Sequence, residues 1–77
     1  MRKEIYYSQQ DALARATEFA DENNGIIDKR PAMVDSHMHF DIEDDRLQEI
    51  GWTGECAAFR VKDKDTYNEI ALIGYFD

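Results

Sequence analysis

The chain has 77 residues, 43% of them hydrophobic, and carries seventeen acidic residues against nine basic ones, for a net charge of −8. This length gives a single small globular domain with one core, and the apolar content excludes a disordered polyelectrolyte. The acidic balance argues against direct binding of nucleic acid or anionic lipid through bulk charge.

The N-terminal part of the chain predicts a strand followed by a helix. Residues 3–7 are β-prone and place Ile5 and Tyr6 on opposite faces. A helix is predicted over 8–24, with Ser8 as its N-cap. Its apolar residues recur at helical spacing: Ala12, Leu13, Ala16, Phe19 and Ala20. Asn23-Asn24-Gly25 is expected to end the helix, with Gly25 taking the left-handed conformation.

The clearest strand pattern lies in residues 34–43, where polarity alternates with a period of two. One face is predicted to pack in the core and contains Val34, Ser36, Met38, Phe40 and Ile42. The other face is predicted to meet water and contains Asp35, His37, His39, Asp41 and Glu43. Upstream, Ile26-Ile27 begins a shorter extended segment, which Pro31 interrupts or confines to a sheet edge.

The C-terminal half predicts a short helical turn and then a β-hairpin. The turn covers residues 44–50, capped by Asp44 or Asp45 and ended by Gly51. Strands are predicted over 55–62 and 67–76, joined by a turn at 63–66. The last strand is apolar on both faces, with Ile70 expected beside Leu72, which indicates a central strand or a face covered by a partner.

These elements predict an α+β fold. One N-terminal helix packs on a sheet of three or four strands, mostly antiparallel, in the order β-α-β-turn-β-β. This arrangement buries every amphipathic face, although the sequence does not determine where the first strand pairs.

Residues 34–41, Val-Asp-Ser-His-Met-His-Phe-Asp, contain a His-x-His pair. The segment resembles the first-strand signature of the amidohydrolase superfamily, in which such a pair binds a catalytic metal at the end of a barrel strand. The barrel of that family needs about 250 residues, and this chain has no third histidine. The resemblance therefore does not predict a metallohydrolase, and we expect no catalytic site.

A smaller metal hypothesis rests on the same pair. His37 and His39, with Asp35 or Asp41, have the donor types of a surface zinc site. Alternate strand residues project to one side, so both imidazoles would face one ion. The alternative is that these residues form only the solvated face of a strand. We therefore expect no cofactor, and zinc or another divalent ion bound by His37 and His39 is the alternative.

Acidic residues concentrate in residues 32–55, which hold seven of them against Arg46 alone. A continuous acidic surface recognises a basic protein surface, including that of a protein that itself binds nucleic acid. The residues predicted to contact such a partner are Asp35, Asp41, Glu43, Asp44, Asp45, Glu49 and the interface-prone Trp52. Two alternatives stay open: the acids only keep the domain soluble, or Arg60 and Lys62 neutralise them across the sheet.

These observations predict a non-catalytic interaction module, an inhibitor that docks its acidic face on a basic nucleic-acid-handling protein. Small phage-encoded anti-CRISPR and anti-restriction proteins are similar in size and charge, although no motif connects them with this chain. The alternatives are the zinc site and a structural module whose last strand extends a sheet across a homodimer.

The single cysteine and the N-terminal sequence indicate the cellular compartment. One cysteine forms no intrachain disulfide, and residues 1–6 contain no apolar signal region, so we expect a cytoplasmic protein. No stretch approaches the roughly 20 apolar residues that cross a bilayer, so we expect no membrane partner. Cys56 is expected to be a buried structural residue, because Glu55 beside it disfavours the reactive thiolate.

Overall fold

The computed structural model describes residues 1–40 and 54–76, apart from the side chain of His37. Its elements are β1 (Arg2–Tyr6), α1 (Gln9–Glu22), β2 (Gly25–Asp35), α2 (Ser36–His39), β3 (Glu55–Asp63) and β4 (Glu69–Tyr75). The strands form one sheet in the order β1-β4-β3-β2. The α+β class is therefore confirmed. None of the helices in the described part of the chain is long and apolar enough to span a bilayer.

The sheet is mixed. β2 pairs with β3 and β3 with β4 in antiparallel orientation, whereas β1 pairs with β4 in parallel. β4 is thus a central strand, which explains why it is apolar on both faces. Because β4 already has a strand on each side, it is not available to extend the sheet across a dimer, and that part of the homodimer hypothesis is wrong.

Helix α1 begins as the sequence predicts, because the Ser8 hydroxyl accepts a hydrogen bond from the Asp11 backbone amide at 3.1 Å. Its buried stripe consists of alanines at four-residue spacing, whose short side chains let the helix approach the sheet closely: Ala12, Ala16 and Ala20. This stripe packs on a cluster formed by Phe59, Val61, Ala71, Ile73 and Tyr75. The amphipathic pattern alone therefore determines which helix face is buried.

The helix ends at Glu22, and the residue that then turns left-handed is Asn24 (φ 54°), not Gly25 as expected. Asparagine tolerates this conformation. Gly25 is required for a different reason, since a Cβ there would lie 2.8 Å from Val61 Cγ1 and 3.2 Å from Ala20 Cα. Glycine thus permits the close contact between the end of α1 and the start of β2.

The opposite face of the sheet has an apolar cluster of its own, made of Val34, Phe40, Cys56, Ala58 and Leu72. Phe40 lies directly over the backbone of β4. A Cβ on Gly74 would come within 2.7 Å of the Phe40 Cζ atom, so glycine is needed there to admit the ring. The residue after α2 is thereby fixed to the centre of the sheet.

The predicted strand over 34–43 is wrong for residues 36–39, because the strand lies mainly upstream and ends at Asp35. Residues 36–39 form one turn of helix, and the Phe40 amide donates a hydrogen bond to the Ser36 carbonyl at 2.8 Å. Residues four apart share a helix face, so Ser36 and Phe40 are both buried while Met38 is exposed. The remaining part of that prediction, 41–43, and the predicted turn at 44–50 lie outside the described residues.

Two strands depart from regular pairing. The register between β2 and β3 shifts between residues 28 and 32, so the sheet-edge strand bulges around Pro31, as its missing N–H predicts. In β4, Ile70 is an extra residue in the pairing with β3. It consequently packs against the cluster under α1 rather than beside Leu72, as strict alternation predicts.

Candidate protein-interaction site

Helix α1 contacts one corner of the sheet face on which it packs and leaves another corner of that face, at the end of β2, uncovered. Arg15, near its middle, contacts Glu4 in the edge strand β1, whereas Ala20 lies against Gly25 at the start of the other edge strand, β2. Fourteen helical residues span about 21 Å, and the eleven residues of β2 extend about 36 Å. The far end of β2 therefore runs past the helix.

The first corner, here called the filled corner, consists of Arg2, Glu4, Tyr6 and Arg15. The Glu4 carboxylate, with its side chain only 19% exposed, accepts hydrogen bonds from Tyr6 Oη at 2.5 Å, Arg2 Nε at 2.9 Å and Arg15 Nε at 3.1 Å. Burial by itself raises the pKa of Glu4, but the three donors outweigh it and lower that pKa overall. The filled corner ties β1 to α1.

The second corner, here called the open corner, consists of Met33, Asp35, Met38 and Glu55. In the register of β2 with β3, Met33 stands opposite Ala57 and Asp35 opposite Glu55. Ala57 packs against the cluster beneath α1, so these β2 and β3 positions share the α1 side of the sheet. Met33 is nevertheless 64% exposed, because the helix does not extend over it.

Helix α2 adds its own residue to the open corner. The Asp35 carboxylate accepts a hydrogen bond from the Met38 backbone amide at 3.4 Å, as an N-cap does. The side chain of Met38 is 76% exposed. Directly across the strand pair, Asp35 faces another acid, Glu55, and opposed like charges of this kind destabilise a sheet. Met33, Asp35 and Glu55 therefore share the end of the β2–β3 pair, and the exposed Met38 follows in α2.

The two residues that flank positions 41–53, Phe40 and Gly54, are both held in place in the described structure. On one side Phe40 is buried over Gly74. On the other, the Gly54 carbonyl accepts a hydrogen bond from the Ser36 amide at 3.2 Å, and Gly54 is left-handed (φ 98°), which favours glycine there. The sequence between these anchors contains one base, Arg46, and five acids: Asp41, Glu43, Asp44, Asp45 and Glu49.

Among the residues predicted to contact a partner, the structure describes Asp35, at the exposed end of β2. The others lie outside the described residues, so their role stays a prediction: Asp41, Glu43, Asp44, Asp45, Glu49 and Trp52. Arg60, a candidate for neutralising these acids, instead forms an ion pair with Glu69 of β4 at 3.3 Å. Lys62 also stands opposite Glu69.

The zinc hypothesis loses the strand geometry on which it depends. Residues 36–39 are helical, and residues two apart on a helix do not face each other. His39 is half-buried at the end of α2, while the side chain of His37 lies outside what the structure describes. Within residues 1–40 and 54–76, no three His, Cys, Asp or Glu side chains are grouped to hold a metal ion. Zinc binding by this pair stays a prediction.

Two buried polar groups directly follow the acids of the open corner in sequence. Cys56 is buried as predicted. Burial raises the pKa of its thiol to about 11, and the nearby charge of Asp35 adds to the effect, so the thiol is protonated at neutral pH. The Ser36 hydroxyl is fully buried and has no hydrogen-bond partner in the described part of the chain. Such an orphan hydroxyl costs stability.

Comparison of the chain with protein-family models, with curated proteins and with solved structures finds no match. The site is therefore defined by its own geometry. Sequence reasoning overlooks Met33 and Glu55 as site residues and assigns Met38 to the core. The signal for Met38 was Asp35, since an aspartate is a frequent N-cap and here begins a helical turn.

Proposed function

We propose that the protein is a non-catalytic interaction module whose acid-rich third, residues 32–55, binds a basic surface on another protein. The observation that supports this most concerns the residues that flank positions 41–53: Phe40 is buried over Gly74, and the Gly54 carbonyl accepts a hydrogen bond from the Ser36 amide. This third of the sequence holds seven acids against one base, and a strong local excess of negative charge attracts a cationic surface rapidly and in a salt-dependent manner.

Proteins that bind nucleic acids are the partner class that fits this chemistry. Their binding surfaces present lysine and arginine side chains to phosphate groups, and a series of carboxylates competes for the same cations. The module then acts as an inhibitor by occupying that cleft. Asp35 and Glu55 stand opposite each other across β2 and β3, so the acidic surface includes the sheet end as well as segment 41–53.

The test begins with affinity capture and continues with each captured protein in purified form. The expected partner is basic, and its affinity should fall at least about tenfold between roughly 0.05 and 0.5 M salt, because screening weakens contacts between exposed charges. Asp41→Lys combined with Asp44→Lys should abolish most of this binding.

A matched variant controls for net charge. Asp11→Lys combined with Asp21→Lys alters the total charge equally, but both positions are exposed on α1, away from the acid-rich third. Binding should survive in this variant. Equal loss in the two variants, or affinity that is indifferent to salt, would refute the proposed function.

A further inference from the structure

The turn between β3 and β4 is fixed by hydrogen bonds within itself and to the end of α1. The Asp63 carbonyl accepts a hydrogen bond from the Tyr67 amide at 2.8 Å, and the Asp63 amide donates one to the Asn68 carbonyl at 2.8 Å. The Lys64 amide donates to the Asn24 carbonyl, just after α1, at 3.0 Å. The backbone of this turn is therefore held in one conformation.

Tyr67 is the residue of this turn that departs most from its ordinary conformation. Its backbone is left-handed (φ 61°), where a bulky side chain is rare and where glycine or asparagine would fit at lower cost. Packing of the ring does not compensate, since Tyr67 is 68% exposed and belongs to neither apolar cluster. A strained residue that presents an aromatic ring to solvent is characteristic of functional sites, and tyrosine often anchors interfaces.

The chemistry of the turn indicates what fits on this ring. Residues 64–68 are all exposed, and those beside Tyr67 are polar, so a wholly apolar partner would bury polar groups without partners, at a cost in affinity. An arginine guanidinium instead stacks on the face of a tyrosine ring. It also donates hydrogen bonds, which the Asp65 carboxylate and the Thr66 hydroxyl can accept.

The charge of the turn also favours a cation. Hydrogen bonds from the Thr66 and Asp65 amides, at 3.0 and 2.8 Å, lower the pKa of Asp63 and keep it ionised. The Asp65 carboxylate accepts its hydrogen bond from the Asn24 side-chain amide at 3.2 Å. These amide donors carry no formal charge, so with Lys64 as the one base, residues 63–66 have a net charge of −1.

We propose that Tyr67 is a contact residue for the basic partner and receives an arginine side chain on its ring. This inference rests on the proposed function and narrows it, because it names one residue type that the partner presents. Tyr67 lies beyond the end of β3, whose nine residues, Glu55–Asp63, extend about 30 Å from the acid-rich third. The partner therefore contacts the protein at both ends of this strand.

Two dye-labelled peptides of equal charge provide the test, one of twelve arginines and one of twelve lysines. Each is about 40 Å long when extended, so it can reach both ends of β3. Measured by fluorescence anisotropy at low salt, Tyr67→Leu should weaken binding of the arginine peptide about threefold, as for an exposed cation–π contact. The lysine peptide should lose less, because a guanidinium stacks on a ring and an ammonium does not.

Three variants and a second measurement locate the contact. Tyr67→Phe keeps the ring and should keep both affinities. Tyr7→Leu makes the matched change at a tyrosine that is 52% exposed but not left-handed, and should also leave them unchanged. Tyr67→Asn should unfold at a higher urea concentration than wild type, because asparagine tolerates the left-handed backbone. In protein labelled at the tyrosine rings, the arginine peptide should shift the NMR signals of Tyr67 but not those of the buried Tyr75.

The outcomes separate the two proposals. Arginine-peptide affinity that Tyr67→Leu leaves unchanged, or unshifted Tyr67 signals, overturns the ring contact and leaves a charge-driven module in place. An equal loss in Tyr7→Leu overturns it as well, because the effect is then not specific to the turn. If Tyr67→Asn unfolds at a lower urea concentration, the ring serves the fold and the inference is also wrong. Binding of neither peptide at low salt counts against both proposals.

Discussion

The filled and open corners lie on the same face of the sheet, but α1 contacts the first through Arg15 and does not cover the second. In the filled corner a single carboxylate, Glu4, receives three donors from its own chain. In the open corner two carboxylates, Asp35 and Glu55, stand opposite each other beside exposed methionines. The first arrangement serves stability. The second leaves the apolar side chain of Met33 64% exposed, and exposed apolar surface is characteristic of sites that contact another molecule.

The largest effect is expected from breaking the filled corner. Glu4→Gln keeps the shape of the side chain but removes its charge, and the free energy of unfolding should fall by about 2 kcal/mol, as for a lost hydrogen bond to a charged group. Urea denaturation at pH 7 measures the change. Glu18→Gln is the control, since Glu18 also pairs with Arg15 but is 62% exposed and should cost at most about 0.5 kcal/mol. Equal losses would contradict a stabilising role for Glu4.

The contribution of Glu4 to stability should depend on pH. The pKa of Glu4 is lowered in the folded protein, so its contribution is fully present above the unfolded pKa of about 4.3. It is lost as pH falls through the lower folded value. The stability difference between wild type and Glu4→Gln should therefore shrink on acidification below about pH 4. A difference that grows in acid would show that another group is responsible.

Two serines, one near each corner, should respond to alanine with opposite signs. Ser8→Ala removes the α1 cap and should lower the free energy of unfolding by about 1 kcal/mol. Ser36→Ala removes a buried hydroxyl that lacks a hydrogen-bond partner among the described residues, and should raise it by up to about 1 kcal/mol. Thermal and urea denaturation of both variants compare the two. A loss in Ser36→Ala would show that its hydroxyl is satisfied in solution.

The smallest effect on stability, and the sharpest on function, is expected in the open corner. Glu55→Lys places a base opposite Asp35 and should raise the free energy of unfolding by up to about 0.5 kcal/mol, while weakening binding to a basic partner. Glu55→Gln removes the negative charge without adding a positive one. Its free energy of unfolding should lie between those of the wild type and Glu55→Lys. If Glu55→Lys lowers the free energy of unfolding, the opposed carboxylates do not destabilise the sheet, and the two corners do not differ in this respect.

Much of the fold follows from periodicity alone. The alanine stripe of α1 has one face to bury, and the apolar residues of β3 and β4 alternate between the two buried faces of the sheet, so periodicity predicts these three elements. The parallel pairing of β1 with β4 cannot be predicted from periodicity, because it depends on which edge strand of the assembled sheet is still unpaired. No local pattern in Arg2–Tyr6 carries that information.

The site was less accessible to sequence reasoning, for a physical reason visible at Ser36 and Phe40. In a strand, the alternation of polarity puts both residues on the face that packs in the core. They are also four residues apart, so one turn of helix buries both equally well. Capping by Asp35 favours the turn. Once the turn forms, Met38 is exposed to solvent instead of packing in the core, so its exposure could not be predicted from the alternation of polarity.

The bulge around Pro31 bears on the tendency of the protein to aggregate at high concentration. An open edge strand is a template on which further chains can polymerise, and proteins block this with proline, bulges and charged side chains. The β2 edge has all three between Asp28 and Pro31, and the other edge, β1, has only five residues and includes Arg2 and Lys3. Strand addition is therefore disfavoured at both edges of the sheet. Met33 and Met38 can then remain exposed without promoting aggregation through the sheet edges.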